Sequence, residues 1–371
     1  MPEYPRLATD APDLDPTPIF EQFRGAYATE LLTVAVAHLP IFEQLAVGPL
    51  SELEVAARLH LAQRPLTVLS TALAAMGLLT KDTLGNLALT PLASEHLLRG
   101  GPFYIGDYIG LAADSPGVIA LRDCLKTNRP VGSAPEQDTA AVSTAAGAFA
   151  PTQTTDKGTA FIYRPDSSSA MEDTAAARML TLALAGRAKN VAPALAREAQ
   201  LDTASVLLDV GGGTGIYSIT CLQQYQNLRA IVWDRPEVLR VAAEFAAQYG
   251  VVDRLELVPG DMFNDPVPKA DAMLVSNILH DWDVPECRAL VGKCAASLAS
   301  GGRLLIHDVF LNDALDGPLP IALYSAALFT LTEGRAYSAA EYRAWLIEAG
   351  LTVAEPRPTL VHCGLLAGKK S

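Results

Sequence analysis

The stretch Val206 to Ser218, VLLDVGGGTGIYS, leaves this chain few ways to fold. Val206, Leu207, Leu208 and Val210 form the apolar run of a strand covered on both faces, as in parallel sheets. Asp209 closes it. Gly211, Gly212, Gly213 and Gly215 then let a ligand lie against bare backbone. A helix starting near Thr214 aims free N–H groups and the positive end of its dipole at that ligand. A dinucleotide fingerprint, G-x-G-x-x-G, needs a small residue at position 216. Ile216 stands there instead, and the pattern present is D-x-G-x-G-x-G.

Strand and helix patterns alternate from this point. Strands are predicted at 206–210, 228–233, 255–259, 271–276 and 303–308, with helices at about 214–224, 236–248 and 285–299. That alternation predicts an α/β fold, a Rossmann-like doubly wound parallel sheet. Ser338-x-x-Glu341 is a capping box for a helix ending before Gly350, and two short strands near 351–355 and 360–367 finish the sheet. Met171 to Ala199 reads as a long amphipathic helix or helix pair leading into the glycine strand.

The N-terminal part is different. With 371 residues the chain is long enough for two domains, expected at 1–127 and 171–371 with a loop or linker over 128–170. Pro2 to Pro18, rich in proline and acid, reads as a mobile arm. Ile19 to Leu45 has helical periodicity broken near Pro40. Leu50 to Leu98 reads as a winged helix-turn-helix: Ser51 caps a short helix, a second helix runs from about Pro65 to Met76, Leu78–Lys81 and Asn86–Leu89 make a hairpin, and Pro91 starts another helix. The second helix, RPLTVLSTALAAMG, has one basic residue and is otherwise apolar. It suits neither phosphates nor base edges, so burial against a partner subunit is the better reading and this becomes a dimerisation domain. Pro102 to Lys126 is expected to be further helix, with Phe103, Tyr104 and Tyr108 lining a pocket or filling core. Residues 128–169, rich in Ala, Thr, Ser, Pro and Gly, read as a long loop, either a flap or a linker.

A net charge of −13 argues against nucleic-acid and anionic-membrane partners and favours a small-molecule substrate. No apolar run approaches the roughly 18 residues that span a bilayer. Met1 to Asp15 has no apolar signal core, which predicts a cytoplasmic protein. The five cysteines are scattered without CxxC spacing, as buried hydrophobes are.

Three further stretches carry chemistry. Asp234 ends the second strand, where an acid reaches the ribose hydroxyls of a nucleoside bound at the first turn; its alternative is to cap the helix at Pro236. Gly260-Asp261-Met262-Phe263 follows the third strand, beside the place for an adenine: Asp261 accepts from its amine and Met262 and Phe263 sandwich the ring, unless this is a plain turn. Ser276-Asn277-Ile278-Leu279-His280-Asp281-Trp282-Asp283 follows the fourth strand, at the carboxyl end where such sheets bind ligands. Asp308 ends the fifth strand, beside the fourth, so it approaches His280 and fixes its tautomer. His280-Asp281 and His307-Asp308 invite a metal reading, but strand alternation sends His307 and Asp308 to opposite faces and no third ligand is well spaced.

LLDVGGGTG, the acid in VWDRPEVL, GDMF, ILHDWD, GGRLLIHD and EGRAYSAAEYRAWLIEAG together resemble the caffeic-acid-type O-methyltransferase family, class I methyltransferases that use S-adenosyl-L-methionine (SAM), in its bacterial secondary-metabolite branch. The resemblance covers nearly the whole chain, and ILHDWD is its most specific piece. It implies SAM as cofactor, a homodimer interlocked through the N-terminal winged-helix domains, and a small, often aromatic, hydroxyl acceptor. The family's general base matches His280, with Asp308 beside it. Its cofactor contacts match Gly211, Asp234, Asp261 and Met262, with Ser276 at a neighbouring contact; Asp209, Gly213, Arg235, Gly260 and Phe263 complete the expected surround. The implied chemistry is in-line methyl transfer to oxygen. A phenol of pKa about 10 is a poor nucleophile near neutrality, and a histidine near 6.5 is suited to take its proton. One position departs. The family often holds its base between two acids; the second would fall in GRAYS, near Ala336, where no carboxylate exists. This leaves open a SAM enzyme acting on carbon, nitrogen or sulfur without a general base, and, from another class, a winged-helix regulator sensing a metabolite.

Overall fold

A computed structural model describes residues 7–131, 169, 171 and 173–371. The chain divides into two compact units. One comprises 19–168 and 311–336; the other comprises 1–18, 169–310 and 337–371. Most of the loop expected over 128–169, flap or linker, lies outside the described residues.

The first unit is helical apart from a hairpin, β1 (Leu79–Lys81) and β2 (Leu87–Leu89), antiparallel with Leu79 opposite Leu89. The helix at Glu52–Leu59 begins with the expected Ser51 cap, which the structure shows to be a full capping box: Ser51 Oγ accepts from Glu54 N–H, and Glu54 accepts from Ser51 N–H. The second helix of the winged motif, Gln63–Ala75, is buried at every residue from Arg64 to Leu73. What buries it is not a second subunit. The helix Leu319–Leu331, buried from Ile321 to Thr330, packs against it from far along the same chain. This corrects the expectation drawn from its apolar face, and it also removes the helix from any DNA groove. Arg64, its one basic residue, faces inward: Nε donates to Asn128 Oδ1 (2.9 Å), Nη2 to Asn128 O (2.8 Å) and Nη1 to Gly334 O (3.1 Å), and the guanidinium lies over the Phe329 ring at 4.6 Å. Between Pro102 and Lys126 the further helix expected is present as two short turns, Gly106–Ile109 and Gly110–Ala112, and a longer helix, Pro116–Thr127. Phe103 and Tyr108 are 60% and 80% exposed and so fill no core, while Tyr104 lines an open cavity of about 270 Å³ with Val36 and Arg99.

The second unit carries the doubly wound sheet. Its parallel strands are β3 (Val206–Val210), β4 (Arg229–Asp234), β5 (Leu255–Pro259), β6 (Ala272–Ser276) and β7 (Arg303–Leu311); the short β8 (Tyr337–Ser338), β9 (Leu351–Val353) and β10 (Arg357–Pro358) lead to β11 (Cys363–Lys370). The order is β10-β11-β7-β6-β3-β4-β5, with β8 on β7 and β9 on β11. The order reverses between β3 and β6, and at such a switch point an open sheet forms its ligand crevice. β7 runs to Leu311, past the expected end at 308; antiparallel β11 carries its ladder to Val309, opposite Cys363, and β8 also pairs with it. The last strand starts at 363 rather than 360, after Val361 and His362 turn with positive φ.

Residues 7–10 are not a free arm. Ala8 is buried; its N–H donates to Gln223 Oε1 (2.6 Å) and its carbonyl accepts from Thr220 Oγ1 (3.2 Å), both on the helix Ile216–Gln224. Among the described residues no helix is long and apolar enough to cross a membrane.

Removing the Arg64 side chain strands three acceptors, one buried and two half-buried, and an aromatic face. Arg64→Ala is expected to lower unfolding free energy by about 2–4 kcal/mol in chemical denaturation, where an exposed arginine would cost under about 0.5 kcal/mol.

Candidate active site

The turn after β3 is shaped for close approach. Gly211 has φ +65°, and a Cβ there would lie 2.5 Å from Ile278 Cδ1 in the turn after β6. Gly213 has φ +60°, and a Cβ on it would meet only open space. The helix begins at Ile216, two residues later than expected, with left-handed Gly215 as its N-cap. Asp209 braces the turn from beneath: it is fully buried, accepts from Ser218 Oγ (2.8 Å) and sits where a Cβ on Gly212 would be. Burial pushes its carboxyl up to about 7.

Asp234 turns toward this loop. Its Oδ2 accepts from Gly213 N–H (2.8 Å) and its Oδ1 from Arg235 N–H (2.7 Å). The N-cap position belongs to Arg235, so the alternative use of Asp234 as a cap falls away. Burial raises the Asp234 pKa to about 6 against the pull of those two N–H groups. The carboxylate retains lone pairs for further donors. Arg235 reaches Asp261 Oδ2 at 3.4 Å. Asp261 folds its own loop, Oδ1 accepting from Phe263 N–H (2.8 Å) and Asn264 N–H (3.2 Å). These contacts outweigh desolvation and hold its carboxyl below the ordinary value. Gly260 lies so close to Trp233 that a Cβ would fall 2.2 Å from its Nε1. Phe263 packs edge-on against Trp282 at 4.6 Å. Sequence reasoning missed Lys293, whose Nζ donates to the carbonyls of Met262 (2.9 Å) and Phe263 (2.8 Å) and so holds this loop to the helix Val284–Ser297. Its signal was a lone lysine on an otherwise ordinary helix.

His280 lies in the 3₁₀ turn Leu279–Asp281 that follows β6. Asn277, with φ +55°, swings the chain across toward β7, its N–H donating to His307 O (2.9 Å). Tyr337 pins the far end of the turn by donating to Trp282 O (2.6 Å). The imidazole is 5% exposed, and its Nδ1 is 2.6 Å from Asp308 Oδ1. Asp308 also accepts from Val309 N–H (2.8 Å) and from the Tyr342 hydroxyl (3.1 Å). On the other side Asp281 Oδ1 stands 3.7 Å from Nε2. Sequence reasoning saw Asp281 only as half of a metal motif; it is the second acid beside the histidine, where GRAYS supplies none. Burial alone would depress the His280 pKa, but the charges of Asp308 and then Asp281 overcome it and the net shift is upward. Burial drives the Asp308 carboxyl up, but the facing imidazole and its hydrogen bond prevail and it stays below the ordinary value. Burial raises Asp281 to about 7 against the pull of His280.

His307 faces the other way, as strand alternation requires. Its Nδ1 meets Ser276 Oγ (2.8 Å) and its Nε2 meets Thr359 Oγ1 (3.1 Å), with the Tyr217 ring edge-on at 5.4 Å. Burial and the nearby Arg187 depress its pKa to about 3, so it stays neutral. Ser276, expected near the cofactor, is engaged in this network and also accepts from Asn277 Nδ2 (3.0 Å).

A switch-point crevice with a bare glycine turn, ordered acid acceptors at the end of β4 and just after β5 and a buried histidine after β6 has the layout of a class I methyltransferase. Comparison with known proteins agrees. The family model for the O-methyltransferase domain matches residues 167–352, just over half of the chain. A 3-hydroxy-5-methyl-1-naphthoate 3-O-methyltransferase of Streptomyces sahachiroi is 32% identical over 338 residues, 90% of this chain and 89% of that protein. A crystal structure of an O-methyltransferase family 2 protein from Planctomyces limnophilus, in complex with apigenin, is 47% identical, with TM-score 0.83 over 98% of this chain and 99% of that one. Human N-acetylserotonin methyltransferase, crystallised with SAM, shares the fold at TM-score 0.56 and 20% identity over 95% of this chain and 96% of that one. The chain belongs to the O-methyltransferase family, and it is a SAM-dependent O-methyltransferase of the bacterial secondary-metabolite kind.

Two outcomes follow at the cofactor end. Asp234 loses its charge as pH falls through about 6, and with it the stronger acceptor for hydroxyl donors; SAM affinity measured by calorimetry is expected to weaken over that range and to be flat above it. Gly211→Ala forces a Cβ into Ile278 at a left-handed position and is expected to weaken SAM binding by about tenfold or more.

Proposed function

We propose that this enzyme methylates a hydroxyl of a small aromatic acceptor with His280 as general base. The observation that carries this is the buried imidazole set between Asp308 on Nδ1 and Asp281 near Nε2. SAM supplies a methyl group already activated on a sulfonium, which leaves the protein to align the acceptor and take its proton. With Nδ1–H donating to Asp308, the neutral tautomer leaves Nε2 unprotonated and able to accept a proton. A phenol near pKa 10 gives up its proton to Nε2 as its oxygen attacks. Asp308 fixes the ring and steadies the imidazolium, and Asp281 adds a second negative charge beside the nitrogen that gains the proton. For the cofactor we assign Gly211 and Gly213 to close backbone contact, Asp234 to the ribose and the Gly260–Phe263 loop to the adenine, with Arg235, Ser276 and Asp209 shaping these contacts. The naphthoate acceptor of the Streptomyces relative and the apigenin bound by the Planctomyces protein support an aromatic acceptor.

We infer a homodimer formed through the N-terminal helical part. Phe103, Ile105, Tyr108 and Leu111 support it, being 60%, 48%, 80% and 82% exposed within nine residues, a density of apolar surface that marks an interaction site. A cytoplasmic location is part of this reading; the five cysteines are free and buried, as suits a reducing compartment.

His280→Ala is expected to lower kcat by about 10²–10⁴ while SAM binding is kept. The imidazolium cannot accept a proton, and two carboxylates favour that charged form. Activity in wild type is therefore expected to fall as pH drops through a midpoint above 6.5. Asp281→Asn removes one of the charges and moves that midpoint down; a kcat/KM profile unchanged in position would refute the role of Asp281.

A further inference from the structure

SAM has an α-carboxylate on the amino-acid tail opposite its nucleoside, and the acids assigned above do not serve it. Strand order indicates where that tail belongs. Asp234 and Asp261 follow β4 and β5, to one side of β3. The tail then lies toward the other side, by β6, where Ile278 closes on Gly211. A guanidinium stands at this junction. Arg187, from the helix Thr174–Ala199, donates through Nη1 to Asn277 Oδ1 (2.8 Å) and through Nη2 to Cys363 Sγ (2.7 Å). Asn277 in turn donates to the Tyr217 hydroxyl (3.3 Å), in the first turn of the helix that follows the glycine loop. Arg187 is half-buried, and its charge reaches His280, Asp308 and His307. It is thus linked through Asn277 to the helix that follows the loop, and its charge acts on the reacting end.

We propose that Arg187 binds the α-carboxylate of SAM. The inference rests on the assignment of the glycine loop and Asp234 to the nucleoside. The planar fork of a guanidinium matches a carboxylate, and the uncharged Asn277 amide orients it without cancelling its charge. Set at the β6 end of the crevice, the contact fixes the tail on the His280 side of the switch point.

The test compares S-adenosylhomocysteine with its decarboxylated analogue, identical except for that one group, by calorimetry on the full-length enzyme. Wild type is expected to prefer the intact ligand by roughly 10- to 100-fold. In Arg187→Met the preference collapses toward one, with affinity for the decarboxylated ligand kept within about twofold; retention of that ligand shows that the site is folded. Arg187→Lys keeps the charge, loses the fork and falls between. No preference in wild type, or an undiminished preference in Arg187→Met, overturns the proposal. So does a loss that falls only on the acceptor's KM, which would put the guanidinium on the acceptor. Asp234→Asn separates the two readings: it weakens both ligands by the same factor if the nucleoside assignment holds, and leaves both unchanged if that assignment is wrong, whatever Arg187 does.

Discussion

A buried imidazole is bonded through Nδ1 to a carboxylate that is itself 1% exposed. Neither group tolerates this environment alone, because an isolated charge in the interior is heavily penalised and removing one partner strands the other. The pair is viable because the fold satisfies the rest of Asp308, with a backbone N–H from Val309 and a hydroxyl from Tyr342. The register of two strands brings them together. β6 and β7 run parallel with Ser276 opposite His307, so a short turn after β6 drops His280 beside the next residue of β7. The two residues proposed above for proton removal are 28 positions apart in sequence and adjacent because β6 and β7 pair as parallel neighbours.

The cofactor end is built on a different principle. The groups assigned to it above are backbone N–H groups and carboxylates arranged by short loops. Asp234 and Asp261 each accept from local N–H groups, which fixes their side chains before any ligand arrives. Such preorganisation lowers the ordering cost of binding. Lys293 performs the same service for the loop carbonyls from a neighbouring helix. Acids gathered around one crevice raise each other's pKa values, and the structure offsets this with N–H donors and with Arg187 and Arg235.

Much of this was legible from the residues. Glycine at positions of positive φ, acids at the ends of strands and an apolar run between them are local signals, and local signals survive in one dimension. Contacts between distant segments do not. The apolarity of Gln63–Ala75 established burial but not its cover, which lies some 250 residues further on in Leu319–Leu331. The roles of Asp281 and Tyr342 also escaped. Each depends on where a side chain points after a 3₁₀ turn or across a helix, and residue type does not encode that. The length of β7 was underestimated because partners from later in the chain, β11 and β8, pair with it. Residues 7–10 read as a free arm from their proline and acid content, yet two hydrogen bonds from the backbone of Ala8 tie them down.

The claim at the centre is that Asp308 holds His280 in the tautomer with Nε2 unprotonated and that Asp308 and Asp281 together raise its proton affinity. Nitrogen-15 NMR of the labelled imidazole, titrated across pH 5 to 9, reads both properties at once. The account predicts a proton on Nδ1 in the neutral form and a midpoint above 6.5. A neutral form protonated on Nε2, or a midpoint below that value, would contradict it.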